Sequence, residues 1–311
     1  MTASVAGLEA VRLPGGESGA GNIHAAWRMA VAMRAAEAYA GNRNLTALAV
    51  AGSVGAGLAD RFSDLELDCY WVRPPTVTDR VAPVHALGGE LTALWDYDED
   101  EKEWSEEYRV GELDITVSNF LASAVEQFLD DVVLRASTDP VWHMRLAALQ
   151  RSRPLLGAET MTSWRARADA FPDRLVAALV EQALAPEVLS GWAAREALVS
   201  RGDNLAVSDL LSRAGHAVVK VVLALNRVYL PHRQLKWQRH LITGLGLAPE
   251  RLAERLASMS ADRPGEALQA AEALLAEIVT LAEAHSDADI GAFRMALSER
   301  RRPIDPPLPD T

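Results

Sequence analysis

Apolar and polar positions in the first hundred residues follow a pattern that changes from helical to strand-like. Residues 22–40 place apolar side chains three and four apart behind Asn22, a typical N-cap, and so predict a helix. The run 45–54 is short, apolar and ends at glycines, which predicts a buried strand. Residues 76–87 follow two prolines and predict a second helix, and residues 90–96 predict another strand.

Period-two alternation predicts a strand over Ser63–Val72. Because successive side chains of a strand point to opposite faces, this alternation divides its residues into two groups. The acidic group is Asp64, Glu66 and Asp68, and the apolar group is Leu65, Leu67 and Cys69.

A second alternating region predicts a β-hairpin. Residues 106–110 and 113–118 flank Gly111-Glu112, a two-residue turn with glycine first, as a tight hairpin requires. In the second strand of this hairpin, Asp114 shares one face with Thr116 and Ser118.

From Asn119 onward the apolar spacing becomes helical, alanine dominates and prolines break the pattern, so everything beyond about residue 140 predicts helices. We therefore predict an α/β domain over 1–150 and a helical domain over 151–311. The expected fold class is α+β, a small mixed-sheet core followed by an all-α bundle.

The 311-residue chain has one cysteine, Cys69, which excludes an internal disulfide and a Cys-based zinc cluster. Its place in an apolar run predicts a small core residue. No apolar run approaches the roughly 18 residues of a transmembrane helix, and the first 19 residues lack the basic and apolar regions of a signal peptide. We expect a cytoplasmic protein without a membrane partner.

The net charge of −12 is concentrated in the first half of the chain. Residues 1–150 hold 23 acidic and 11 basic residues, whereas residues 151–311 hold 20 of each. An acidic surface disfavours nucleic acid and attracts cationic small molecules and divalent metals. Eight of the carboxylates lie in Trp95–Tyr108, which we expect to be largely a solvated acidic loop.

The segment AVAGSVGAGLADRFSDLELDCYW, residues 49–71, carries the strongest chemical signal. A dinucleotide fingerprint would need glycine at position 54, which is Val54, and a Walker loop would need a lysine that the segment lacks. What remains is a strand that ends at Gly52-Ser53 and, after ten intervening residues, a strand that opens with Asp64 and Glu66.

This combination suits metal-assisted chemistry on a nucleoside triphosphate. Backbone N–H groups of a glycine-rich turn and a nearby hydroxyl, here Ser53, donate to phosphates without side-chain bulk. Carboxylates at i and i+2 of one strand point the same way, and a divalent cation relieves their repulsion. Mg²⁺ bound in this way bridges protein carboxylates and substrate phosphates.

These residues resemble the motif of the nucleotidyltransferase superfamily, whose polymerase-beta-like core carries a Gly-Ser turn, a spacer of similar length and Asp-x-Asp or Asp-x-Glu. The variant SDLE is similar to the kanamycin nucleotidyltransferase branch, in which an α/β catalytic domain precedes a helical one. The resemblance covers about twenty residues closely and the domain order loosely. It implies a nucleotidyltransferase core with Asp64 and Glu66 as metal ligands, and two Mg²⁺ ions with ATP as co-substrate.

The resemblance also implies a third carboxylate on a later strand, as metal ligand or base. Asp114 matches this position best, and Glu112 in the turn is the second choice. Each carboxylate also has a purely structural interpretation. Asp64 and Glu66 could lie on a solvent-facing edge strand, and Asp114 could lie on the solvent-exposed face of a sheet. Asp68 is as compatible with a structural role as with a chemical one.

Related nucleotidyltransferases often place a lysine of the helical domain on the triphosphate. Lys236 is the candidate and Lys220 the alternate, because a dense polar run follows the apolar stretch around Val218–Leu225. A solvated basic loop explains the run equally well.

The sequence thus predicts a Mg²⁺-dependent nucleotidyltransferase that moves a nucleoside monophosphate, most simply AMP from ATP, to a hydroxyl of a small acceptor and releases pyrophosphate. The resemblance and the acidic first half together favour a cationic, aminoglycoside-like antibiotic as acceptor. Two alternatives stay open: a toxin-like transferase that modifies RNA or protein, against which the absence of a basic face argues, and a non-catalytic nucleotide-binding protein.

Overall fold

The computed structural model describes residues 22–259 and 263–304. The N-terminal residues on which the expectation of no signal peptide rests lie outside these ranges. The chain divides into two compact units: the first runs up to Arg135 and includes Met144–Ala170, and the second consists of Ala136–His143 and the chain from Phe171 onward. The boundary predicted at residue 150 falls inside the first unit.

The first unit is built on a six-stranded mixed sheet with helices packed against it. Its elements in chain order are α1 Ile23–Tyr39, β1 Leu45–Val50, α2 Gly52–Gly55, β2 Leu65–Trp71, α3 Val77–Ala86, β3 Glu90–Asp98, β4 Glu103–Val110, β5 Leu113–Leu121, α4 Ala122–Leu129, a π-helical turn Asp130–Leu134, α5 Pro140–Arg151 (whose first turn belongs to the second unit), β6 Arg153–Leu156 and α6 Ala158–Ala168.

The strand order in the sheet is β3-β4-β5-β2-β1-β6. Neighbouring strands are antiparallel except for β2 and β5, which run parallel with Leu65 opposite Ile115. The predicted hairpin is confirmed: β4 and β5 are joined at Gly111, whose φ of +62° is the left-handed conformation that glycine adopts without strain.

Side-chain alternation in β2 separates the core from the acidic face as predicted. Leu65, Leu67 and Cys69 are fully buried in a core that also takes in α1. The predicted cap is confirmed, because the Asn22 side chain accepts hydrogen bonds from the backbone N–H groups of the first turn of α1.

Two expectations are corrected by the sheet. The acidic segment Trp95–Tyr108 is mostly strand rather than loop, since only residues 99–102 connect β3 to β4. The prediction of helices alone beyond residue 140 missed β6, a four-residue strand that pairs with the edge of β1. So short a strand after a helix leaves too few alternating positions to be recognised.

The core side of β4 holds a buried polar network. Arg80 Nε donates to Glu106 Oε2 at 2.7 Å, and both side chains are buried. Asn119 Nδ2 donates to the same oxygen at 2.9 Å, while its own Oδ1 accepts from Trp71 Nε1 at 2.9 Å. This carboxylate of the predicted acidic loop is therefore a core residue that ties α3 to β4 and β5.

The second unit is helical in all the regular elements described for it. They are α7 Asp173–Ala183, two 3₁₀ turns at Pro186–Leu189 and Trp192–Ala194, α8 Arg195–Arg201, α9 Asn204–Leu225, α10 Gln238–Ile242, α11 Leu252–Ser258, α12 Pro264–His285 and α13 Gly291–Ser298. The central helix α9 is apolar around most of its C-terminal half and packs against α7 and α12.

The fold class is therefore α+β, as the sequence predicts: a mixed sheet core followed by helices. Within the described ranges, no helix is both long and apolar enough to cross a membrane.

Candidate active site

The Gly-Ser turn and the start of β2 lie side by side at one end of the sheet. The antiparallel register places Val50, the last residue of β1, opposite Leu67. One residue further, the Ala51 N–H donates to the carbonyl oxygen of Glu66 at 2.9 Å. The chain then turns into α2, so that Gly52 and Ser53 adjoin the carboxylate strand.

Gly52 touches the Glu66 carboxylate. A Cβ at Gly52 would lie 2.4 Å from the Cδ atom of Glu66, a distance that no real Cβ contact tolerates. Gly52 also has a φ of +55°, which disfavours other residues. The positive φ favours glycine, and the contact with the end of the Glu66 side chain joins two sequence motifs fourteen positions apart into one place.

The loop that leads from the turn to Asp64 is held by polar contacts, two of them partly buried. Asn22 Nδ2 donates to the Ala59 carbonyl at 2.6 Å, and the buried Arg28 donates through Nε to the Ser63 carbonyl at 2.8 Å. The Asp60 carboxylate accepts from the Phe62 N–H at 2.9 Å and closes a tight turn. Asp64 therefore starts β2 from a fixed position.

Asp64, which directly precedes β2, and the two acidic residues within β2 differ in exposure. Asp64 is exposed, Glu66 is half-buried and Asp68 is buried. Burial raises the pKa of Asp68 to about 7, and the Tyr70 hydroxyl donates to its Oδ2 at 3.3 Å. Asp68 is thus enclosed within the unit, which supports its structural interpretation, while Asp64 and Glu66 form the accessible pair.

Asp114 lies at the same end of the sheet, but its carboxylate forms an ion pair with Arg109. It precedes Ile115, the partner of Leu65, on the strand parallel to β2. Its Oδ1 accepts from Arg109 Nε at 2.7 Å across the hairpin, and both side chains are more than half exposed. Glu112, the second choice, is exposed in the turn. The role of Asp114 stays a prediction.

The donor set fits a Mg²⁺ ion that is shared with a substrate rather than an all-protein cage. Among the described residues, no group of three or more histidine, cysteine or acidic side chains is arranged to hold a metal. Asp64 and Glu66 supply two carboxylates, and the second lies against Gly52. Mg²⁺ commonly binds through one or two carboxylates, with substrate phosphates and waters completing its octahedron.

Lys236 and Lys220, the predicted triphosphate ligands, belong to the second unit, and both are exposed. Much of the polar run near them is structural. Asn226 caps the end of α9 and bonds both the N–H and the carbonyl of Leu247, and Tyr229 is buried against Phe171. The dense polar composition therefore has a packing explanation.

The sequence analysis missed a cation that the structure places at the C-terminal end of α2. Arg153 opens β6 beside Val50, and its Nε donates to the Gly55 carbonyl of α2 at 3.1 Å. No sequence signal points to it, because it lies about a hundred residues from the Gly-Ser motif and its strand was not predicted.

Comparisons with known proteins find one partial family match and a distant structural similarity. A family described as a domain of unknown function (DUF4037) matches residues 141–238, which do not include β2. The crystal structure of a nucleotidyltransferase-like protein from Exiguobacterium sibiricum 255-15 is similar over 83% of this chain and 77% of that chain, with 12% sequence identity and a TM-score of 0.37. No curated protein matches.

Proposed function

We propose that the protein is a Mg²⁺-dependent nucleotidyltransferase that moves a nucleoside monophosphate, most simply AMP from ATP, to a hydroxyl of a small acceptor. The observation that carries the proposal is the contact of Gly52 with the Glu66 carboxylate. A turn suited to phosphates and a pair of carboxylates suited to Mg²⁺ meet at one accessible place, and a nucleoside triphosphate with its metal ion carries both complementary groups.

Each residue of the site has a role in this reaction. Asp64 and Glu66 would hold the Mg²⁺ ion that accompanies the triphosphate, and when bound this ion neutralises phosphate charge. Ser53 and the turn would face the phosphates. The acceptor hydroxyl oxygen forms a bond to the α-phosphorus, the bond from that phosphorus to the bridging oxygen breaks, and pyrophosphate leaves with the electron pair.

The proton of the acceptor hydroxyl needs a base. Asp114 is the proposed base, because it is exposed at the same end of the sheet as Asp64. Its ion pair with Arg109 must open, or turn toward the acceptor, for Asp114 to accept the proton. The pair is exposed, so opening it costs no more than about 1 kcal/mol.

A cationic, aminoglycoside-like acceptor remains the proposed substrate class. It is supported by the resemblance of SDLE to the kanamycin-type motif and by the net charge of −12. A negative net charge attracts cations in general but does not select one of them, so the acceptor is identified by assay.

The proposal is tested by incubating the protein with labelled ATP, Mg²⁺ and separate panels of aminoglycosides, nucleic acids and cell lysate. Transfer to an aminoglycoside supports the proposal as stated, whereas transfer only to RNA or protein supports the toxin-like alternative. Asp64→Asn and Glu66→Gln should each lower turnover about a hundredfold or more, because each removes a ligand charge with little change in size.

Glu90→Gln is the matched control for these substitutions, since it neutralises an exposed carboxylate at the start of β3. Near-wild-type turnover of either site variant would contradict the metal assignment. Binding of MgATP without transfer in any panel would favour a non-catalytic nucleotide-binding protein, although all three candidate carboxylates are present.

A further inference from the structure

We propose that Trp95 and Glu107 bind the acceptor, a hydroxyl-bearing ring compound with ammonium groups, on the face of the sheet that carries Glu66. This inference rests on the proposed function, which it deepens by naming residues that select the acceptor. The indole would stack on a ring of the acceptor, and the carboxylate would pair with an ammonium group.

Strand register places Glu107 on the same face of the sheet as Glu66, two strands away. Thr116 of β5 is the partner of Glu66 in β2 and also of Glu107 in β4. Side chains of residues paired across neighbouring strands lie on the same face of a sheet. Since neighbouring strands are about 4.8 Å apart, the backbones of Glu66 and Glu107 are separated by roughly 10 Å. An acceptor of two or three rings spans this distance.

Trp95 points to the same face from β3, the edge strand. It is the partner of Ser105, which lies two residues from Glu107 on β4. Period-two alternation gives Ser105 and Glu107 a common face. Trp95 is thus a diagonal cross-strand neighbour of Glu107, about 7–8 Å away and within reach of long side chains. The indole and the carboxylate therefore border one patch of the sheet.

The backbone of Trp95 is held by the buried polar network of the core. Arg80 Nη2 donates to the carbonyl oxygens of Trp95 at 2.9 Å and of Ser105 at 2.6 Å, while Arg80 Nε binds Glu106. The register of β3 against β4 shifts between Trp95 and Asp98. Such irregularities re-aim side chains beside active sites. The indole is thus presented from a fixed support.

Both side chains are available to a ligand. Trp95 is 47% exposed, and its indole makes no ring contact or hydrogen bond with the residues that the structure describes. Glu107 is exposed and forms no ion pair with a described residue, whereas Arg109 is paired with Asp114. A carboxylate and the face of an indole both attract positive charge. This complementarity favours a cationic acceptor over a nucleic acid.

The test measures nucleotide transfer from MgATP to kanamycin, a polycationic aminoglycoside, at 0.01 M and 0.1 M salt. Wild type is compared with Trp95→Ala, with the conservative Trp95→Phe and with Glu107→Gln. Leu94→Ala is the control for the indole, since Leu94 is 40% exposed on the opposite face of β3. Glu37→Gln is the control for the carboxylate, because Glu37 is exposed on α1, which packs against the opposite face of the sheet.

We expect Trp95→Ala to raise the KM of kanamycin about fivefold at both salt concentrations, and Trp95→Phe to recover part of the loss. Glu107→Gln should raise this KM about threefold at 0.1 M salt and further at 0.01 M, because salt screens an exposed ion pair. The KM of ATP and the thermal midpoint should match wild type in every variant. Both controls should keep the wild-type KM of kanamycin.

Wild-type KM values of kanamycin in both Trp95→Ala and Glu107→Gln would overturn the inference while leaving the proposed function standing. Transfer by wild type to RNA or protein but not to an aminoglycoside would also overturn it. If Trp95→Ala changed only the elution volume in size-exclusion chromatography, the indole would belong to a contact between copies at the edge strand, and the inference would again be wrong. Absence of transfer in every panel would overturn the proposed function, and this inference with it.

Discussion

Gly52 combines two separate reasons for being glycine, and a pair of substitutions separates them. Gly52 and Gly88 both have positive φ, +55° and +67°, but a Cβ at Gly88 meets no atom within 4 Å. Gly88→Ala should therefore cost only the conformational strain, about 1 kcal/mol. Gly52→Ala must also displace the Glu66 carboxylate.

We expect Gly52→Ala to lower the free energy of unfolding by about 1 kcal/mol, as Gly88→Ala does, but also to lower MgATP affinity because the Glu66 carboxylate must move, measured by urea denaturation and calorimetry. Gly88→Ala should leave MgATP affinity unchanged. If both variants bound MgATP as wild type does, the close contact between Gly52 and Glu66 would not contribute to nucleotide binding.

The proposed role of Asp114 as the base for the acceptor hydroxyl is tested by substitution. If it accepts the acceptor proton, Asp114→Asn should lower kcat about a hundredfold or more while MgATP affinity is unchanged, because a base acts in the transition state. Stability should change by less than about 1 kcal/mol, since the ion pair with Arg109 is exposed.

Stopped-flow turnover and calorimetric titration of the same Asp114→Asn sample check this prediction. Equal losses in kcat and in MgATP affinity would reassign Asp114 to binding the metal. Unchanged kcat would leave it as a surface residue of the hairpin.

At the scale of one element, β4 shows why the acidic segment was misread. Glu106 and Glu107 are neighbours in sequence, yet Glu106 is buried with Arg80 and Glu107 is exposed. Alternation in a strand assigns the two residues to opposite faces. Charge alone favours solvent for both, so only the pairing of β4 between β3 and β5 decided that one of them is a core residue.

The buried Arg80–Glu106 pair leads to a prediction about the pH dependence of stability. Burial raises the pKa of Glu106 from 4.5 to about 7, although the Arg80 guanidinium and the Asn119 amide oppose the shift. Between these values the folded state holds a proton that the unfolded state has lost. The contribution of Glu106 to the free energy of unfolding should therefore fall as the pH rises from about 4.5 to 7, and Asp68, whose pKa burial also raises to about 7, should act in the same direction.

Urea denaturation across this pH range tests the assignment. Glu106→Gln removes the titration, so its curve should be flatter than that of wild type, whereas Glu107→Gln should follow wild type. Parallel curves for wild type and Glu106→Gln would show that another group causes the pH dependence.

For the molecule as a whole, the placement of charge matters more than its sum. Glu103 pairs with Phe120, which pairs with Tyr70, and Tyr70 lies six residues along β2 from Asp64. At about 3.3 Å per residue, the acidic turn 99–102 is about 20 Å from Asp64. This is twice the Debye length of about 10 Å at 0.1 M salt, so charges there act weakly on the site.

Several carboxylates of this region also have internal partners. Asp98 accepts from the N–H groups of Asp100 and Glu101, and Glu101 pairs with Arg145 at 2.9 Å. We therefore expect the double variant Glu99→Gln/Asp100→Asn to leave the KM of a cationic acceptor unchanged at 0.1 M salt.

Acceptor kinetics at 0.01 M and 0.1 M salt check this expectation, with Glu37→Gln/Glu90→Gln, two exposed carboxylates outside the turn, as the charge-matched control. A KM that rises in the Glu99/Asp100 variant at 0.1 M salt would restore the acidic segment as the region that gathers the acceptor.

The sequence by itself determined the features that depend on neighbours along the chain. Helix α1 and its Asn22 cap, the two faces of β2, the hairpin turn at Gly111 and the burial of Cys69 all follow from local periodicity and turn chemistry. The Gly-Ser turn and the Asp64–Glu66 pair could be found in the same way, because both are contiguous motifs.

Tertiary structure decided what depends on contacts between distant segments. It set Gly52 against Glu66, buried Glu106 and Asp68, paired Asp114 with Arg109 and bonded Arg153 of the missed strand β6 to the Gly55 carbonyl. A sequence states which residue types are present, but the solvation of a charge and its partners are set by which strands pair and in which register. That physical difference separates the motif, which the sequence predicts, from the site, which the fold assembles.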